Sequence, residues 1–313
     1  MNIFNFFISA GLSFFITEKA IPFLKINIAA VPTNRGMHSI TKPTGGGIIF
    51  VLIYIIFSIL QGFYIPLISL PLALIGLLDD KFNISPKTKF IAQLVTVIGT
   101  IIIIKKNEIT FLNTFLENSI LNFFIIVLIG ISIINFINFM DGIDGLICGS
   151  FIIILSLLNP FQNQFFPLIG ALFGFLKFNW QSSKIFMGDT GSLFLGSFLV
   201  SILFKSSNSI DFIKILIFLT PLIIDPLITL IRRIFIGQNF FSPHKLHLYQ
   251  RLVSNGLTHS QVSSIYIISI FLLGIFYRFS NLIILIITSI IVIIFGIFID
   301  KKFAVQFFPD NKN

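Results

Sequence analysis

The chain has 313 residues, of which 56% are hydrophobic and only 11% charged, and its mean hydropathy is +1.01. A soluble domain carries about 25% charged residues, so this composition excludes a water-soluble fold. The net charge of +9 is not read as a nucleic-acid signal. In an integral membrane protein it reflects Lys and Arg gathered in the cytoplasmic loops. A single cysteine, Cys148, excludes a disulfide framework and a Cys-based metal site.

Hydropathy predicts an all-α fold, a polytopic membrane bundle of about eleven helices. The expected spans are 2–24, 45–62, 64–78, 90–104, 120–137, 144–158, 164–178, 191–204, 211–231, 262–279 and 281–299. The third, sixth and seventh are short, and the count falls to ten if one of them does not cross. No base precedes the first apolar stretch, which therefore reads as a membrane helix rather than a cleaved signal. With the N-terminus outside, the inner loops are 25–44, 79–89, 138–144, 178–190 and 232–261, plus the C-terminal tail. Of the 21 Lys and Arg, only Lys105, Lys106, Lys205, Lys214 and Arg278 fall outside and Lys19 lies within a span. The excess on the inner side supports this orientation. No linker or repeat divides the chain, so residues 1–313 form one membrane domain.

The polar residues of the inner loops come in five segments. The first is Val31-Pro32-Thr33-Asn34-Arg35-Gly36-Met37-His38, followed by Lys42-Pro43-Thr44 and Gly45-Gly46-Gly47. Its bases suit a diphosphate, and the glycines let a helix terminus approach a ligand closely. The second is Asp79-Asp80-Lys81, directly after an apolar span, with Lys89 and Gln93 beyond Ser85-Pro86. Alone it reads as a solvated helix end. Neighbouring carboxylates also repel, so one of them can hold a raised pKa or share a cation.

The third segment runs Asn135-Phe136-Ile137-Asn138-Phe139-Met140-Asp141-Gly142-Ile143-Asp144-Gly145. Asp141 and Asp144 are three apart, so on a helical turn both would face one cavity. Irregular backbone at membrane depth lines a cavity, and a helix starting there offers free N–H groups to phosphate. The fourth is Phe178-Asn179-Trp180, then Phe186-Met187-Gly188-Asp189-Thr190-Gly191-Ser192. Asp189, at the mouth of a span, suits a hard divalent cation; read alone it is also an ordinary helix cap. The fifth, Ser242-Pro243-His244-Lys245-Leu246-His247-Leu248-Tyr249-Gln250-Arg251, puts His244 and His247 on one helical face beside basic residues. Anion contact is the expectation there, ahead of zinc. Asp225, inside the ninth span, is a buried acid that needs a partner, and His259 looks incidental.

In this order the five segments resemble the polyprenyl-phosphate N-acetylhexosamine-1-phosphate transferase family, over roughly residues 30 to 255. The Asn-x-x-Asn-x-x-Asp-Gly-x-Asp-Gly-Leu and Phe-Met-Gly-Asp-x-Gly-Ser segments are its most specific marks. The resemblance implies transfer of a sugar 1-phosphate from a UDP-sugar to undecaprenyl phosphate, with release of UMP. It implies Mg²⁺, with Mn²⁺ as a substitute, on Asp189 together with Asp144 or Asp141. It also implies catalytic roles for Asp79, Asp80, Lys89, Asp141, Asp144, His244 and His247. Substrate contacts fall to Arg35, Gly46, Asn138, Asn179 and Phe186, the last as an aromatic that stacks on uracil. The implied setting is the bacterial inner membrane, with a cytoplasmic site, a second copy as a homodimer partner and a product that initiates a surface glycan.

Two departures stand out. The peptidoglycan enzyme of the family, the phospho-MurNAc-pentapeptide transferase, carries three adjacent histidines where this chain has His-Lys-Leu-His. Thr44 stands where many members have arginine. The first departure points to a simple UDP-N-acetylhexosamine, with UDP-FucNAc or UDP-QuiNAc slightly ahead of UDP-GlcNAc and the pentapeptide donor as the alternative. A proton-coupled transporter is the competing class. It would place polar residues on both faces, whereas here they gather on one.

Overall fold

A computed structural model describes residues 2–30, 37, 40–107, 111–116, 120–158, 162–238 and 244–307. Among them are α1 (Asn2–Asn27), α2 (Gly47–Leu60), α3 (Leu70–Phe82), α4 (Pro86–Asn107), α5 (Phe111–Leu116), α6 (Ile120–Met140) and α7 (Leu146–Leu157). The chain continues through α8 (Gln162–Asn179), α9 (Gly188–Phe204), α10 (Ser209–Phe218), α11 (Thr220–Phe235), α12 (Leu248–Ser254), α13 (His259–Phe279) and α14 (Leu282–Phe303). A short antiparallel pair, β1 (Ala29–Ala30) with β2 (Lys42–Pro43), closes the loop between α1 and α2.

The all-α expectation holds, and each of the eleven expected spans coincides with helix. The number of full crossings is a different matter. Five helices (α1, α4, α6, α13 and α14) are long and apolar enough to cross a bilayer. A sixth crossing results if α10 and α11, bent by 75° at their junction, count as one broken span. Pro221 lies in the first turn of α11, where its ring and missing N–H oppose continuation of α10. The apolar helices α2, α7 and α9 have only 14, 12 and 17 residues. At 1.5 Å per residue these fall short of a ~30 Å hydrocarbon layer.

The centre of the bundle is α9, buried without interruption from Thr190 to Phe204. A helix apolar on every side has to be enclosed, and α9 is packed by α2, α3, α4 and α6. The outer helices show the reverse. Large apolar side chains such as Phe235 and Phe279 are 85% and 79% exposed, as lipid-facing residues must be. Between helices in lipid, small residues permit close approach. A Cβ on Gly76 of α3 would lie 2.5 Å from the Asp189 carbonyl oxygen at the start of α9. That contact sets the last turn of α3, with Asp79 and Asp80, beside Asp189. Gly76→Val is therefore expected to cost about 1–3 kcal/mol through overpacking. Thermal unfolding in detergent should show the lower midpoint, with activity falling alongside it.

Candidate active site

The C-terminal ends of α3 and α6 and the N-terminal end of α9 surround a cavity of about 240 Å³. Its walls include Thr44, Asp80, Asn138, Asp141, Asn179, Phe186, Asp189 and Gln250. Four of the five polar segments predicted from the sequence thus meet with part of the fifth at one point. Arg35 lies outside the described residues.

Asp189 sits in the first turn of α9 and its two oxygens are shared. Lys89 Nζ donates to Oδ2 at 3.1 Å and Asn138 Nδ2 to Oδ1 at 3.0 Å. The same ammonium reaches Asp79 Oδ2 at 2.9 Å, so Lys89 bridges the acids of α3 and α9. Asn138 also donates to Ser192 Oγ at 2.9 Å, which locks its amide orientation. Gln93 and Asn135 exchange amide hydrogen bonds of 3.2 and 2.9 Å, fixing α4 to α6.

Asp80 has a different task. Its carboxylate accepts the Asp189 N–H at 2.9 Å, the Thr190 N–H at 3.1 Å and the Thr190 hydroxyl at 2.6 Å. Side-chain oxygens at a helix start satisfy donors that have no partner within the helix. Asp80, contributed by α3, does this for α9. Burial, followed by the charge of Asp189, pushes the Asp80 carboxyl up to about 7 despite these hydrogen bonds. Asp141 is pushed well above the usual carboxylate range by burial first, then by the charges of Asp189, Asp80 and Asp144. Its carboxylate has no hydrogen-bond partner among the described residues.

The expectation that Asp141 and Asp144 face one cavity is not met. Helix α6 ends at Met140 and α7 begins at Leu146, so the residues between them form a turn rather than a helical face. Gly145 adopts φ +75°, where a side chain is disfavoured. Asp144 turns away and accepts Ser183 Oγ at 2.7 Å and the Ser183 N–H at 3.1 Å. His259 Nδ1 and Lys42 Nζ stand 3.4 and 3.9 Å from it. Burial raises the Asp144 carboxyl, but hydrogen bonds from the His259 side, from Ser183, and the Lys42 charge outweigh it, so the net shift is downward. His259 is thus no incidental residue. It starts α13, 115 positions from Asp144, a pairing that no local sequence signal reveals.

Gly46 and the two histidines stand apart from the cavity walls. The Gly46 N–H donates to the Phe186 carbonyl at 3.0 Å, and a Cβ there would lie 2.6 Å from Ile185 Cδ1. The glycine run is needed for α2 to approach the 185–191 loop. Neither His244 nor His247 lines the cavity either; Gln250, one turn further on, does. The two imidazole rings lie 4.9 Å apart. Burial, then the neighbouring His247 and Arg233, push His244 down to about 3, so it is neutral near pH 7. Phe186 and Asn179 do stand in the wall, with Lys42 Nζ 5.1 Å from the Phe186 ring centre. Asn179 Nδ2 donates to the Ile185 carbonyl at 3.0 Å, shaping that loop.

Among the described residues no three His, Cys, Asp or Glu side chains form a closed metal cage. Asp141 and Asp189 nevertheless face one cavity, and the first has its oxygens free. That donor set fits Mg²⁺, which takes one or two carboxylates and completes its shell with water and substrate phosphates.

An acidic cavity with one bridging ammonium, at the mouth of a polytopic helical bundle, is the apparatus of an integral-membrane enzyme acting on phosphorylated substrates. The profile of glycosyl transferase family 4 matches residues 62–207. A probable undecaprenyl-phosphate N-acetylglucosaminyl 1-phosphate transferase of Bacillus subtilis is 31% identical over 303 residues, covering 88% of this chain and 83% of that protein. An undecaprenyl-phosphate alpha-N-acetylglucosaminyl 1-phosphate transferase of Thermotoga maritima is 30% identical over 257 residues, covering 80% and 82%. A phospho-N-acetylmuramoyl-pentapeptide-transferase of Prochlorococcus marinus is 33% identical over a shorter 249 residues, covering 64% and 69%. The chain belongs to glycosyl transferase family 4.

Proposed function

We propose that this protein transfers N-acetylglucosamine 1-phosphate from UDP-GlcNAc to undecaprenyl phosphate at the cytoplasmic face of the bacterial inner membrane. The convergence of Asp189, Asp141, Asn138 and Lys89 on one cavity carries the reading. The relatives aligned over most of the chain are named for N-acetylglucosaminyl transfer, which favours GlcNAc over the 6-deoxy sugars expected from the histidine segment. It also favours GlcNAc over the pentapeptide donor, whose transferase aligns with less of the chain. The product, a lipid-linked sugar, would initiate a cell-envelope glycan. The Lys and Arg gathered in the loops that carry the five polar segments support a cytoplasmic cavity.

An oxygen of the lipid phosphate attacks the β-phosphorus of the donor. The bond between that phosphorus and the bridging oxygen breaks, and UMP leaves with the electron pair. A phosphate monoester has its second pKa near 6, so the nucleophile is largely ionised at neutral pH without a strong base. Mg²⁺ held by Asp189 and Asp141 would neutralise charge on the diphosphate. Lys89 holds Asp79 and Asp189 in register and offers its ammonium to the same anions. Phe186 offers a flat face to the base, and Asp144, fixed by Ser183, stands behind the cavity wall. Both oxygens of Asp80 are committed to α9, which favours direct attack over a phospho-Asp80 intermediate.

The test is UMP release by purified protein with undecaprenyl phosphate and a panel of UDP-GlcNAc, UDP-FucNAc, UDP-QuiNAc and UDP-MurNAc-pentapeptide. UDP-GlcNAc should be preferred. If the site hydrogen-bonds the 6-hydroxyl, a 6-deoxy sugar should be rejected by on the order of ten-thousand-fold, because the missing hydroxyl leaves a buried partner unpaired. A win for the pentapeptide donor would move the chain to cell-wall synthesis, and no release from any donor would overturn the reading.

A further inference from the structure

Asp225 is a carboxylate in the middle of the bent membrane helix α11, 5% exposed, and no step above uses it. An acid at that depth is costly and persists only where its surroundings compensate it. Four donors do so here. The backbone N–H groups of Leu248 and Tyr249 reach it at 2.8 and 3.2 Å, the Tyr266 hydroxyl at 2.6 Å and the Thr229 hydroxyl at 3.4 Å. No Lys or Arg pairs with it among the described residues. The nearest cationic candidate is His247, whose Nδ1 is 3.8 Å from Asp225 Oδ1. That nitrogen is buried and has no hydrogen-bond partner among the described residues.

The donors on Asp225 lead directly to the cavity. Leu248 and Tyr249 open α12, and Gln250, the next residue, stands in the cavity wall. Tyr249 donates its hydroxyl to the Phe139 carbonyl at 2.8 Å, and its ring closes against Gly142. Phe139 and Gly142 flank Asp141. The carboxylate in α11 therefore holds one end of a short path: Asp225, the Tyr249 backbone, the Tyr249 hydroxyl, then the loop that carries Asp141.

We propose that Asp225 is a positioning residue, which from inside the membrane docks the His247–Gln250 turn against the Asp141 loop. It touches neither substrate. It acts by fixing where His247, Tyr249 and Gln250 stand. The proposal rests on the reading of the cavity as the transferase site.

Asp225→Asn is isosteric, but its amide cannot accept from two backbone N–H groups and a hydroxyl together. In the full-length protein in detergent, kcat for UMP release should fall at least tenfold, with KM for undecaprenyl phosphate changing less than threefold. Hydrogen exchange should accelerate at the amides of residues 248–250 and remain unchanged across α13. Asp225→Glu, which keeps the charge and acceptors, should recover part of kcat. On a Tyr249→Phe background, where the hydroxyl link to Phe139 is already broken, Asp225→Asn should cost distinctly less than on the wild type, because coupled residues are not additive.

Full additivity in that cycle would overturn the proposal, as would unchanged exchange at 248–250. If Asp225→Asn fails to fold, Tyr266→Phe removes one of the four hydrogen bonds and should produce a smaller change in the same exchange signal; its absence would again refute the idea. The exchange measurement needs no substrate. A wrong donor assignment would therefore abolish the kinetic arm and leave the structural arm intact.

Discussion

Asp189→Asn should lower UMP release by on the order of a thousandfold, a loss of about 4 kcal/mol of transition-state stabilisation. The substitution keeps the size of the side chain, and its amide oxygen can still accept from Asn138 or Lys89, so the fold should survive. It removes one charge from a cluster in which Asp189 acts on Asp80 and Asp141. The melting temperature of the metal-free protein should therefore stay level or rise while activity disappears. Loss of activity without loss of stability separates a metal ligand from a structural acid. Excess chelator should silence the wild type in the same way, and Mg²⁺ or Mn²⁺ should restore it. Full turnover in chelator would refute the metal assignment.

The parts of this site that could be read in the sequence are those in which one residue and its immediate neighbours determine the chemistry. Asp189 before a glycine and a serine at a helix mouth, Asn138 one turn before Asp141, and Lys89 after a Ser-Pro helix start all arrive where the pattern put them. Hydropathy likewise located α3, α6 and α9, whose ends surround the cavity, but not the short α12 that carries Gln250. The misreadings share a cause. Helical spacing puts Asp141 and Asp144 on one face, yet the chain between Met140 and Leu146 is a turn, and the second acid bonds to Ser183 instead. The glycines at 45–47 looked suited to a ligand, yet their missing side chains admit the 185–191 loop. His259 and Asp225 could be interpreted only once partners 115 and 23 residues away were known. Long-range pairing of polar side chains leaves no periodic trace. For the same reason the sequence could mark Asp79 and Asp80 as a pair but could not show that they have different tasks.

That division of labour predicts a contrast. Asp80→Ala should damage stability and activity together, because it removes the acceptor for the Asp189 N–H, the Thr190 N–H and the Thr190 hydroxyl. Gly188, at φ +70°, lies against the lost carboxylate. Leaving buried donors without partners costs about 1–3 kcal/mol each, and the loss of a cap alone about 1 kcal/mol. A drop of about 2 kcal/mol is therefore expected near neutral pH. The pH dependence has a definite sign. The Asp80 carboxyl is raised in the folded protein to about 7 from its ordinary 3.8, so it favours the folded state at low pH. That contribution is lost as pH rises through the folded value. Metal-free wild-type protein should accordingly melt at progressively lower temperature between about pH 4 and pH 7, the window that separates the two values. Asp80→Ala should show a flatter profile that starts lower and approaches the wild type at the alkaline end. A parallel curve, displaced by a constant amount, would mean that Asp80 does not titrate there. An unchanged melting temperature would mean that it does not cap α9.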